Sequence, residues 1–349
     1  MQITLLSVIA AFVLSLMITP LARRLAVRYK IFASSNHRTI HQGSMPKLGG
    51  LGIFLAFLTG FLIYAGATHK IDQFAGFILG SSAVLAVGLI DDIMHLSCYR
   101  KLCGQILAAV IAVFAGFKLQ VVYLPFAVVL DLGIWSAPLS VLWIVSITNA
   151  VNLLDGLDGL ASGFTVITAL FVLFSAVIFQ NLEIAALAVI LIAATLGFLK
   201  YNFNPAKIFM GDMGSLFLGF VLACLSMQAF TTTAGGTHLS PLLVLFLIPL
   251  TDTLLAVVRR VMSGRSPFTA DKKHLHHRML AAGMSQTATV LMVYSATFVC
   301  GVLSLVLYMA DVQLAVIMIS GILLLNLLAL VQLGSFDFLS RKEYSRELS

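Results

Sequence analysis

Long apolar stretches separated by short polar interruptions organise this 349-residue chain. An α-helix needs about 20 predominantly apolar residues to cross the hydrocarbon core of a bilayer. Runs near that length occur at 3–22, 48–67, 73–90, 102–118, 136–154, 160–179, 184–199, 214–230, 239–258, 287–309 and 312–333. The pattern predicts an all-α polytopic membrane protein with about eleven transmembrane helices. The first run has no basic segment before Ile3 and no small-residue cleavage site before Arg23 and Arg24, so it reads as a span rather than a secretory signal. No internal repeat, low-complexity segment or soluble domain interrupts the series, and residues 1–349 read as one integral domain.

Composition agrees: 60% of residues are apolar, 10% are charged, and the mean hydropathy is +1.05. The net charge of +7 informs through its distribution, because short cytoplasmic loops collect Lys and Arg. With the N-terminus outside, the loops 23–47, 91–101, 200–213 and 259–286 and the C-terminal tail fall inside, and they hold 19 of the 21 basic residues. Only Lys70 and Lys118 lie outside. The C-terminus is then cytoplasmic, and the positive charge marks topology rather than a nucleic-acid partner. Cys98, Cys103, Cys224 and Cys300 lack CxxC spacing, which predicts neither zinc nor disulfides.

Ten of the fourteen carboxylates also fall on the inner side, among them Asp91, Asp92, Asp155, Asp158, Asp212, Asp252 and Asp271. Acids in or beside membrane spans are costly unless they face a wet cavity, a cation or a partner, so each is a functional candidate. Asp91–Asp92 close the third span, and adjacent carboxylates suit a Mg2+ that also holds phosphate oxygens. Asn152, Asp155 and Asp158 recur every third residue, which on a helix places them on nearly one face as acceptors for a sugar or base. In Gly211–Asp212–Met213–Gly214, flanking glycines allow close approach to an anion or metal, and the helix start that follows favours phosphate. Lys101 and Arg265 are candidate partners for a pyrophosphate. Asp252 is expected about 10 Å inside the ninth span at 1.5 Å per residue. His274, His276 and His277 lack a zinc-like fourth ligand and suit phosphate or sugar recognition instead. Thr269 or Asp271 is expected to cap their short helix, and Gly283 to end it.

Together these residues resemble the polyprenyl-phosphate N-acetylhexosamine-1-phosphate transferase family. The likeness runs through Arg38, His41, Pro46, Gly49 and Gly50, Asp91–Asp92, Lys101, Asn149 to Ala161, Asn202 to Pro205, Phe209 to Ser215, Pro249 to Thr253 and Arg265 to Arg278. The form Asp271-Lys-Lys-His274-Leu-His276-His277-Arg278 looks like the branch using UDP-N-acetylglucosamine. The first loop departs from that pattern at Ala33, Ser35 and Thr39. The resemblance implies attack by a polyprenyl phosphate oxygen on the β-phosphorus of a UDP-N-acetylhexosamine, releasing UMP at the cytoplasmic face of the inner membrane. It implies Mg2+, with Mn2+ as a substitute, on Asp212 with Asp91 or Asp92; His274 and His277 assist catalysis. Lys101, Asn152, Asp155, Asp158, Arg265, His276, Asn204, Asp252, Lys47 and His41 are the implied substrate contacts. Membrane lipids surround such an enzyme, and a homodimer is compatible with it.

The runner-up is the related phospho-MurNAc-pentapeptide transferase reaction. A secondary transporter would also explain Asp252, but here the acids crowd one face rather than the midplane, and no related halves appear. The CDP-alcohol phosphotransferases expect Ala-Arg after their first Asp-Gly, whereas Asp158–Gly159 runs into Leu-Ala-Ser-Gly.

Overall fold

The computed structural model describes residues 2–33, 45–124, 128–264, 266 and 274–309. Among these residues twelve α-helices follow one another: α1 (Gln2–Arg28), α2 (Gly49–Ala67), α3 (Ile71–Met94), α4 (Cys98–Phe114), α5 (Ser136–Leu154), α6 (Leu160–Ile178), α7 (Leu182–Asn202), α8 (Gly211–Ala229), α9 (Leu239–Leu245), α10 (Leu247–Met262), α11 (Leu275–Ala281) and α12 (Gln286–Met309). Among the described residues, eight stretches are long and apolar enough to cross a membrane, and a ninth arises if α9 and α10 form one broken span. The chain is a multi-pass membrane protein. Ten expected spans coincide with a helix or with the broken pair; the eleventh, 312–333, lies outside the described residues. At 17 residues, α4 reaches about 25 Å, at the short end of what crosses a bilayer. It runs the length of α8: Lys101 meets Asp212 at the start of α8, and Gln228 near the end of α8 donates to the Gly116 carbonyl just past α4.

Two expectations need correction. The ninth span is not straight, because α9 and α10 meet at 76°. Pro249 explains the break: its ring clashes with the carbonyl four residues earlier, that of Leu245, where α9 stops. The depth of Asp252 therefore cannot be read from a residue count. Nor is the chain wholly α-helical. In the connection before α5, β1 (Val121–Leu124) pairs antiparallel with β2 (Val128–Asp131) and parallel with β3 (Gly236–His238), giving the order β2-β1-β3.

Helix α8 forms the centre. Nearly all of its residues are buried, and α2, α3, α5, α6 and α7 pack around it. Its small residues Gly214, Ser215, Gly219, Ala223 and Ser226 let neighbouring backbones approach, which is how helices associate where lipid removes the usual hydrophobic drive. Aromatic edges fill the remainder, with Phe217 against Phe54 and Phe57 at centroid distances of 5.3 and 5.7 Å.

The bundle has two chemically distinct ends. At one, Lys70 and Gln73 meet Glu183, Asn181 donates to the Gln228 carbonyl, and His238 packs against Tyr123, Phe179 and Tyr308. At the other, the start of α2, the end of α3, the start of α4, the end of α5 and the start of α8 converge. That second end gathers the acids that stood out in the sequence.

Candidate active site

The N-terminus of α8 organises this end. A helix leaves its first backbone N–H groups without intrahelical partners and carries partial positive charge there. Asp92 takes both roles: Oδ1 accepts from the Asp212 N–H and Oδ2 from the Met213 N–H, each at 3.0 Å. Lys47 Nζ lies 3.2 Å from the same Oδ1. The expectation that this helix start would meet phosphate is thus corrected, since a buried carboxylate already occupies it.

Gly211 makes the contact possible. Its φ is +72°, and a Cβ there would lie 2.5 Å from Asp92 Oδ2. Gly211→Ala is expected to cost about 2 kcal/mol, from the left-handed backbone and the displaced cap. A thermal unfolding comparison checks this, and an unchanged midpoint would contradict it.

Consecutive helical residues point about 100° apart, so Asp91 faces elsewhere than Asp92. Its Oδ1 accepts from the Leu96 N–H at 2.7 Å, and its Oδ2 lies 2.9 Å from Lys101 Nζ. Lys101 is the hub: Nζ also donates to Asp212 Oδ1 at 2.9 Å and to Asn152 Oδ1 at 3.2 Å. Asn152 Nδ2 returns bonds to Asp212 Oδ1 at 2.6 Å and Ser215 Oγ at 2.7 Å. Behind it, Asn149 and Gln105 exchange side-chain amide bonds. Gln105 was not among the expected residues. Its signal was a buried amide one helical turn after Lys101 in a membrane helix.

The expected single face for Asn152, Asp155 and Asp158 does not form. Helix α5 ends at Leu154, and the two Asp-Gly pairs turn the chain instead. Asp158 points to the next loop, where Oδ2 accepts from Asn204 Nδ2 at 3.2 Å and from the Ala206 N–H at 2.9 Å. Asp155 stays with the cluster. Burial, then the nearby Asp212, Asp92 and Asp158 carboxylates, push its pKa from 3.8 to about 8, against the pull of Lys101. The cluster carries more negative charge than its lysines balance.

The histidine segment closes one side. Asp252 Oδ2 lies 3.0 Å from His274 Nδ1, and its Oδ1 accepts from the Leu275 N–H at 2.9 Å, which caps α11. The helix ends as expected at Gly283, whose φ of +90° permits bonds from Gly283 N–H to Leu280 O and from Met284 N–H to Met279 O. His276 is buried, lies tilted against His277 with ring centroids 4.3 Å apart, and has no hydrogen-bond partner for either ring nitrogen among the described residues. Burial, aided by His277 and His274, lowers its pKa to about 4, leaving the ring neutral. A Cβ on Gly156 would lie 2.4 Å from His276 Nε2, so this ring abuts the Asp155 loop. The expected cap is corrected: α11 begins at Leu275 with His274 at its N-cap position, not Thr269 or Asp271. His41, Arg265, Thr269 and Asp271 themselves lie outside the described residues.

Among the described residues, no three of His, Cys, Asp and Glu already stand in metal-binding geometry. Lys101 bridges Asp91 and Asp212 instead. The fit to a divalent cation lies in the donor chemistry: hard oxygens, excess negative charge, and an Asp212 side chain 32% exposed. Mg2+ keeps several waters and commonly binds one or two carboxylates plus substrate phosphates, so a closed protein cage is unnecessary.

Comparison with known proteins points the same way. A model of glycosyl transferase family 4 matches residues 74–230. A Bacillus subtilis (strain 168) protein described as "probable undecaprenyl-phosphate N-acetylglucosaminyl 1-phosphate transferase" is 36% identical over 317 residues, covering 89% of this chain and 88% of its own. The decaprenyl-phosphate N-acetylglucosaminephosphotransferase of Mycolicibacterium smegmatis is 36% identical over 315 residues, covering 82% and 77%. The undecaprenyl-phosphate alpha-N-acetylglucosaminyl 1-phosphate transferase of Salmonella typhi is 30% identical over 310 residues, covering 84% and 81%. Similarity of this extent across nearly the whole chain places it: the protein belongs to glycosyl transferase family 4.

Proposed function

We propose that this enzyme transfers N-acetylglucosamine-1-phosphate from UDP-N-acetylglucosamine to a polyprenyl phosphate, releasing UMP. The observation that carries the reading is the meeting of Asp91, Asp212 and Asn152 around Lys101 at the capped start of α8, with Asp155 close enough to feel their charge. That end faces the cytoplasm of the inner membrane, with the N-terminus outside and the C-terminus inside, as the loop charges direct. The product begins a cell-envelope polysaccharide.

The reaction forms a bond between a lipid phosphate oxygen and the β-phosphorus, and breaks the bond from that phosphorus to the bridging oxygen, which leaves with UMP. Positioning and charge stabilisation dominate such transfers. A phosphate with a second pKa of about 6 is largely dianionic at neutral pH, so Asp91 needs only to orient it. Direct displacement then suffices without an aspartyl intermediate. Asp212 and Asp91 would hold Mg2+, or Mn2+ in its place, which when bound neutralises the diphosphate and the departing UMP. Asp92 is the less available of the two adjacent acids, because both its oxygens accept backbone N–H bonds from α8. Lys101 turns from the carboxylates to the diphosphate when substrate enters, and Asn152 steers both Lys101 and Asp212. Neutral His276 offers one donor and one acceptor to the sugar or phosphate, and His277 lies beside it. His274 is oriented by Asp252. Asp158 and Asn204 keep the two loops together.

Purified protein supplied with Mg2+, undecaprenyl phosphate and separate UDP-sugars tests the reading. UMP is expected from UDP-N-acetylglucosamine. UMP only from UDP-MurNAc-pentapeptide would transfer the assignment to that reaction, and movement of substrate into vesicles without UMP would favour a transporter.

Asp155 supplies a pH test. Without a divalent ion its folded pKa of about 8 exceeds the ordinary 3.8, so the folded state holds a proton that the unfolded state loses. Its contribution is therefore complete below 3.8 and disappears as pH rises through about 8. Mg2+ is expected to raise the unfolding temperature more at about pH 8 than at about pH 5, and Asp155→Asn to remove that difference. An equal Mg2+ effect at both pH values would contradict the charge imbalance.

A further inference from the structure

The Asp155–Gly159 loop is gripped at both of its glycines by the chain between His274 and Tyr294. His276 lies on Gly156. At the other glycine, Tyr294 Oη on α12 donates to the Gly159 carbonyl at 2.5 Å. The same carbonyl accepts from the Gly163 N–H at 2.9 Å and Ser162 Oγ at 3.1 Å, so three donors fix one peptide plane. Gly159 has φ +78° and is the N-cap of α6, so its plane sets the angle at which the loop leaves that helix.

The sequence reserves room for the phenol. A Cβ at Gly163 would lie 1.9 Å from Tyr294 Oη and 2.0 Å from Cζ. Any side chain there would push Tyr294 off the carbonyl. Tyr294 is also half-buried beside the loop rather than beside substrate groups such as Lys101 or Asp212, so it acts through the backbone.

We propose that Tyr294 is a positioning residue for the transfer reaction, fixing the Asp155 loop through the Gly159 carbonyl. The proposal rests on the N-acetylglucosamine-1-phosphate transferase reading. Asp155 is four residues from the anchored carbonyl, and Asp158 between them is tied to Asn204 and Ala206. With the far side of the loop held by the loop before α8, Tyr294 determines whether the near side stays seated. Because α12 follows the histidine helix directly, the same bond keeps His276 and Asp155 in register.

Tyr294→Phe keeps the ring in the Gly163 notch and deletes only the donor. Detergent-purified wild type and variant are compared for UMP release and for amide hydrogen exchange in residues 155–160. The variant is expected to lose about tenfold in kcat, the worth of one buried hydrogen bond. KM for both substrates should stay within about twofold, with the unfolding temperature nearly unchanged and loop exchange faster by about tenfold. Unchanged loop exchange overturns the proposal whatever happens to turnover. Faster exchange with unchanged kcat also overturns it, and so does a joint loss of kcat, KM and thermal stability, which would mark simple packing. A wild-type protein that releases no UMP defeats the transferase reading itself; the exchange comparison tells that failure apart from failure of the clamp.

Discussion

Asp212→Asn is expected to lower UMP release by about 1,000-fold or more while the protein stays folded, the scale on which loss of one preorganised electrostatic group acts. The substitution keeps an oxygen that can accept from Lys101 Nζ and Asn152 Nδ2, which now meet Asp212 Oδ1 at 2.9 and 2.6 Å. It does not disturb the α8 N-terminus, because the side chain capping that helix is Asp92. What disappears is the negative charge on a side chain that is 32% exposed. Turnover and thermal unfolding measured on the same preparation separate the two effects. Full activity would remove Asp212 from the chemistry, and loss of the folded protein would remake it as a structural acid.

Lys101→Met is expected to damage both activity and fold. Lys101 Nζ joins Asp91, Asp212 and Asn152 in a site where the lysine side chain is only 16% exposed. Removing one partner of a buried ion pair leaves uncompensated charge and costs about 3 kcal/mol. Turnover should fall at least about 100-fold, since the cation that faces the diphosphate is lost as well. Lys101→Arg should restore little, because a planar guanidinium does not reproduce a point charge shared by three oxygens. The contrast with Asp212→Asn yields a sharper expectation. The double variant Lys101→Met/Asp212→Asn should unfold at a higher temperature than Lys101→Met alone, because it removes a repelling carboxylate. Additive destabilisation would show that the pair is not coupled.

Much of this was legible in the sequence because charge in a membrane protein has few permitted places. Asp91, Asp155, Asp212 and Lys101 stood out against 60% apolar surroundings, and the alternating basic loops put them on one side. Directions were not legible. Adjacency suggested that Asp91 and Asp92 share an ion, yet the helical turn between them sends one to Lys101 and the other to the start of α8. Spacing suggested that Asn152, Asp155 and Asp158 share a face, but the Asp-Gly turn chemistry ends α5 first. The break at Pro249 was readable from its clash with Leu245 and was overridden by the apolar run around it. Asp252 and Asp158 drew attention as acids, although their oxygens serve backbone N–H groups of α11 and the 204–206 turn. Tyr294 gave no sequence signal, because the tolerance that reveals it is a missing side chain 131 positions away, at Gly163.

Mn2+ reports most directly on whether these carboxylates form a divalent-ion site. Electron paramagnetic resonance of the purified enzyme is expected to show one bound Mn2+ per chain, displaced by Mg2+, with binding weakened at least about tenfold in Asp212→Asn and kept in Asp158→Asn. Equal Mn2+ binding by wild type and Asp212→Asn would contradict the account.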